Sequence, residues 1–151
     1  MAELAREPSQ LVRDVAESIQ QSGGGLDGFP PALYGWLARH VVEEADPYGV
    51  ELVRSPEWQL HAILSKGATP GDCDDVATLA AGLALALGYE TRFRVVAWAG
   101  PFSHVWAEIE APIARRWHEM DIHRPLQATR PPVRELVYSI AWGHDVRRRS
   151  V

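Results

Sequence analysis

An α+β domain, with its helices first and an antiparallel sheet after them, is the fold class this sequence predicts. Three observations predict it. Apolar residues recur at helical spacing through the first 64 positions. Asp72 to Leu87 is an Ala/Leu-rich run closed by Gly88. From Glu90 onward the pattern becomes short β-like runs parted by Gly and Pro. Helices followed by strands argue against an alternating α/β sheet. The 151 residues are most simply one domain, 1–151. A chain of this size buries roughly 70% of its unfolded surface and holds a core without staples.

The elements follow in order. Ser9 to Gln21 carries Leu11, Val12, Val15 and Ile19 on one helical face, with Ser9 or Pro8 to open it. Ser22-Gly23-Gly24-Gly25 breaks that helix, so residues 1–30 read as a helix and a flexible Gly-rich loop. Pro30-Pro31 starts a second helix, to about Glu44, with Leu33, Trp36, Leu37 and Val41 on one side. Asp46-Pro47-Tyr48-Gly49 reads as a turn. Ser55 is placed to cap a third helix with Pro56 at its first position, running to about Leu64. Gly67 to Gly71 reads as a loop, and Asp72 to Leu87 as the central helix. Glu90 to Trp98, Phe102 to Ile109 and Arg116 to Ile122 are strands. Pro125 to Pro132 is a loop, Val133 to Trp142 a final strand or short helix, and residues 143–151 a frayed basic tail.

Composition narrows the function. Hydrophobic residues at 46% and charged residues at 23% are ordinary for a globular protein. A net charge of −5 gives no reason to expect nucleic acid. Lys66 is the only lysine and the other basic residues are arginine, which reads as lineage bias rather than a phosphate-binding surface. The apolar stretch Val76 to Leu87 is too short to cross a bilayer, and Met1 to Glu7 lacks an export signal, so a soluble protein without a membrane partner is expected. Cys73 is the only cysteine, which excludes an internal disulfide and fits a reducing compartment.

Cys73 stands at the start of the central helix. Free backbone N–H groups and the helix dipole there favour a thiolate and can hold an oxyanion. A lone cysteine is more often buried and inert. Asp72, Asp74 and Asp75 around Cys73 disfavour that reading. Asp72 at the N-cap and Asp75 two residues after the cysteine would stabilise the helix, yet they oppose an anionic sulfur. A cationic partner is therefore needed, and an imidazolium is the natural one.

His104 lies on an alternating strand that puts Phe102, His104, Trp106 and Glu108 on one face. A hairpin pairing Trp117 with Glu108 places Asp121 directly opposite His104. A carboxylate there orients the imidazole and stabilises its charged form.

These blocks resemble a known family. Gly71-Asp72-Cys73-Asp74-Asp75 with its Ala/Leu-rich helix resembles the nucleophile block of transglutaminase-like (papain-related) proteins. Ser103-His104-Val105-Trp106-Ala107-Glu108-Ile109 resembles the histidine strand, and Trp117-His118-Glu119-Met120-Asp121 the aspartate strand. The resemblance implies an α+β fold with the nucleophile at the N-terminus of a central helix packed on a C-terminal antiparallel sheet. It implies a Cys73, His104, Asp121 triad acting on a protein or peptide amide. It implies no metal or organic cofactor. Members include crosslinkers, proteases, amidases and inactive binding versions, so the alternative is a non-catalytic structural or assembly protein. The stretch from Asp46 to Pro56 is similar to compact bacteriophage and prophage members. That implies virion assembly, phage structural proteins as partners, and a location in the bacterial cytoplasm or the virion. The chain departs from the family in the turn after the acid, Ile122-His123-Arg124-Pro125.

A second oxyanion donor is expected upstream of the nucleophile. Gln59 and Trp58 are the candidates. Gln59 is preferred because an amide N–H is the better donor, while Trp58 suits the core. A metal is not expected. His118 falls on the opposite strand face from Asp121 and His123, and the three acids around Cys73 lack the glycine and distal glutamate of a calcium loop. Gly23-Gly24-Gly25 is not followed by the Gly-Lys-Ser/Thr of a phosphate loop. His40, His61 and His144 are taken as surface residues.

Overall fold

The structure is a computed structural model and describes residues 1–6, 8–47, 50, 52–124, 130–140 and 148–149. A short helix α1 (Ala2–Arg6) precedes α2 (Gln10–Ser22) and α3 (Phe29–His40). Ser9 caps α2 by accepting from the Val12 N–H. Gly23 and Gly28 then pack backbone to backbone, so closely that a methyl on either would collide with the other. The Gly-rich segment is therefore a closed turn.

The second helix ends at His40, four residues short of the expected Glu44. Val41–Glu43 forms β1 instead, paired in parallel with β2 (Thr69–Gly71), within a segment expected to be loop. β-branched Val41 and Val42 suit an extended backbone, and the ladder compensates for the lost helical bonds. Between these strands runs α4 (Pro56–Lys66), capped by Ser55 at one end and by left-handed Gly67 at the other. The predicted turn at 46–49 and the segment 50–53 fall partly outside the described residues.

α5 (Cys73–Ala86) is the centre of the molecule. Every residue from Asp75 to Ala86 is buried, which explains its Ala/Leu composition: small side chains let α1, α2 and α4 approach, and Leu79 and Leu83 fill the space between. A methyl on Gly82 would sit 2.6 Å from the Pro56 ring, so this position is reserved for glycine by the approach of α4. Gly88, at φ 79, turns the chain out of the helix.

The sheet has the order β5-β4-β3-β6-β7. Its strands are β3 (Thr91–Ala97), β4 (His104–Ala111), β5 (Arg116–Glu119), β6 (Arg134–Ile140) and β7 (Arg148–Arg149), all antiparallel. Val105, Ala107 and Ile109 join the core with α5, while His104, Trp106 and Glu108 alternate onto the other face. There Glu108 is buried between Arg92 and Arg94, and Arg92 stacks on Trp117. The final element is a strand, settling the choice left by the sequence. Arg148–Arg149, within the expected tail, pairs with β6. Residues 125–129 of the expected loop and 141–147 and 150–151 lie outside the described residues.

Candidate active site

The site lies where the N-terminus of α5 meets the first residue of β4. The β4–β5 register differs from the expected one by two residues: Glu119, not Trp117, pairs with Glu108. Because side chains repeat every two residues, a slip of two keeps Asp121 on the face of His104. β5 ends at Glu119, and the Met120 N–H still donates to the Ala107 carbonyl at 2.8 Å. Asp121 then reaches diagonally, and His104 Nε2 hydrogen-bonds its Oδ1 at 2.9 Å. Both side chains are about 95% buried.

Asp121 is held from its other side as well. Arg124 Nε donates to Oδ2 at 3.0 Å, and the same guanidinium pairs with Glu119 and lies 5.8 Å from the centre of the Trp106 ring. Burial works to raise the Asp121 carboxyl, but His104 and then Arg124 outweigh it and hold it below the ordinary value. Burial likewise opposes the charged form of His104. Its hydrogen bonds to Asp121 and Cys73, then the charges of both, outweigh that and raise it from 6.5 to about 9. His104 is thus a cation at neutral pH, with Asp121 on Nε2. Cys73 is the free thiol of the chain, half-buried against the core.

Arg124 was not singled out from the sequence, although it stands in the turn that departs from the family pattern. Its distance of three residues from Asp121 was the available signal.

The acids around Cys73 do not act as helix caps. Asp72 occupies the N-cap position without a side-chain cap bond. Among the described residues no hydrogen bond is made to the N–H of Cys73 or Asp74, which leaves these donors open. Asp75 is fully buried and turned to Arg54, accepting from its backbone N–H at 2.7 Å and pairing with its guanidinium. Oxygens of Asp72, Asp74 and Asp75 lie within 4.8 Å of one another, the one grouping among the described residues with metal-ligand chemistry. Burial, a hydrogen bond to Asp72 and the charges of Asp72, Asp75 and Asp46 push Asp74 up to about 8.

A protonated Asp74 and an ion-paired Asp75 leave far less negative charge beside the sulfur than three free carboxylates would. The folded state keeps a proton on Asp74 that the unfolded chain releases near pH 3.8. Its contribution to stability is therefore full in acid and lost as pH rises toward 8. Asp74→Asn should melt with the wild type near pH 4 and exceed it by about 3 °C or more near pH 8. A gap that stays constant across thermal melts at these two pH values would contradict a protonated Asp74.

Gln59 is not free to serve as the oxyanion donor. Gln59 is buried, and its Nε2 donates to the Arg54 carbonyl at 3.1 Å and the Asp75 carbonyl at 3.0 Å. Both amide hydrogens are engaged, so Gln59 ties α4 to the first turn of α5. Trp58, expected in the core, is 50% exposed with Arg54 against its ring.

A family model described as the transglutaminase-like superfamily core covers residues 13–122. No curated protein and no solved structure matches. Among the described residues, no helix is long and apolar enough to cross a membrane.

Proposed function

Because the chain belongs to the transglutaminase-like superfamily, we propose that it is a cysteine acyl-transfer enzyme acting on amide bonds of proteins or peptides. The observation that carries this reading is His104, hydrogen-bonded to buried Asp121 and raised in pKa by both Asp121 and Cys73. Cys73 attacks the amide carbonyl, and the open N–H groups at the start of α5 receive the oxyanion. His104 gives its proton to the leaving amine, so the C–N bond breaks and a thioester on Cys73 remains. Water or a second amine then resolves the thioester, with His104 taking the incoming proton. Asp121 keeps the imidazole oriented throughout.

The resemblance of the Asp46–Pro56 stretch to compact phage-associated proteins supports a role in virion morphogenesis, with phage structural proteins as substrates. The test is acylation by para-nitrophenyl acetate. An active site of this kind releases para-nitrophenol in a burst stoichiometric with protein, and Cys73→Ala abolishes it. A folded wild-type protein without a burst would favour the non-catalytic assembly role.

A further inference from the structure

The hairpin that delivers His104 carries two aromatics that the chemistry above does not use. Trp98 directly follows β3, and its ring centre lies 5.9 Å from that of His104. Its indole N–H is fixed by the Arg130 carbonyl at 2.8 Å. Phe102 stands two residues before His104 and is 39% exposed. Arg134 covers it, 5.1 Å from the ring centre. Val133, 67% exposed, hydrogen-bonds through its N–H to the Ala97 carbonyl and brings Arg134 alongside. Neither Arg130 nor Arg134 pairs with an acid among the described residues, although Arg92, Arg94 and Arg124 all do.

Position and charge give this shelf a meaning. The leaving amine must lie at the imidazole that protonates it, so Trp98, beside the His104 ring, borders the amine half of the scissile bond, and the Phe102–Arg134 pair stands at the same end of the sheet. A fixed indole and an exposed phenyl offer flat apolar surface to a ring. The Arg134 guanidinium over Phe102, without an acid partner among the described residues, complements a carboxylate. The Cys73 side of the site has the opposite character, with Asp46 and Asp72 grouped about the protonated Asp74.

We propose that Trp98, Phe102 and Arg134 form the amine-side subsite and select a polypeptide whose aromatic residue, supplying the scissile nitrogen, is followed by an acidic one. The inference rests on the acyl-transfer reading. By microscopic reversibility the subsite that holds the departing amine also holds the same amine when it attacks the thioester. In that attack the new C–N bond forms, the C–S bond breaks, the amine proton passes to His104 and sulfur departs as thiolate.

Wild-type protein is acetylated with para-nitrophenyl acetate, and partition of the acetyl group between water and added amines is measured as N-acetyl product. Phenylalaninamide should capture about 10-fold more than glycinamide, an α-amine of similar basicity. Phenylalanyl-glutamic acid amide should exceed phenylalanyl-glutamine amide by about 3-fold or more. Phe102→Ala and Trp98→Ala should each lower the ratio of phenylalaninamide to glycinamide capture, a ratio read within each variant and so independent of how fast that variant is acetylated. Arg134→Gln should remove the carboxylate preference alone. Equal capture of phenylalaninamide and glycinamide by a wild-type protein that shows the burst would overturn the subsite. Absence of the burst itself would instead sink the acyl-transfer reading beneath it.

Discussion

Replacing His104 with alanine is expected to slow alkylation of Cys73 by iodoacetamide at neutral pH by about 100-fold. The acids at the start of α5 give the sulfur little help. Asp74 is neutralised by its proton and Asp75 by Arg54, which removes much of the opposition without supplying a positive charge. The imidazolium of His104 is the cation that interacts with Cys73, and its pKa of about 9 keeps it charged across the neutral range. Removing it leaves the helix dipole alone, worth only about 0.3–1 kcal/mol. His104→Ala alkylated as fast as the wild type would mean that the sulfur is activated from elsewhere. Circular dichroism on the same sample shows whether the fold survived the loss of a buried ring.

Asp121→Asn should lower turnover of para-nitrophenyl acetate by about 10²–10³-fold and move its alkaline limb downward. In the wild type that limb falls where His104 loses its proton, near 9. The sign follows from the hydrogen bond: Asp121 stabilises the charged imidazole, so a neutral amide in its place lets the proton go at lower pH. Stability follows the same direction. The His104–Asp121 contact stabilises the fold fully below about 6.5 and less as pH rises through about 9. Arg124 holds the second oxygen of Asp121 from an exposed position, so its loss should cost less than the loss of the carboxylate. A pH–rate profile whose alkaline limb is the same in both proteins would show that Asp121 does not govern His104.

Much of this arrangement was legible in the residues. The Ala/Leu run of α5 is an unambiguous helix, and its burial follows from small side chains that let three helices approach it. The choice of face for His104 and Asp121 survived an error of two residues in register, because side-chain direction repeats every two. What the sequence hid were the pairings made across space. Nothing near Val41 announces that it will leave its helix to pair with Thr69. The acids flanking Cys73 read as helix caps because capping is local, whereas Asp75 is claimed by Arg54, 21 residues away. Gln59 was chosen for its free N–H groups, and two backbone carbonyls take both of them. Trp98 passed unnoticed because its closeness to His104 arises only when the hairpin closes.

The most direct test of the account is the site of the acetyl group. Protein quenched during the para-nitrophenyl acetate burst is weighed intact, digested and mapped. Lys66, the only lysine, is a competing amine, as is the α-amino group of Met1. One acetyl group, on Cys73 in the wild type and missing from His104→Ala, is the predicted result. An acetyl group on Lys66 or on a histidine, with Cys73 unmodified yet open to iodoacetamide, would contradict it.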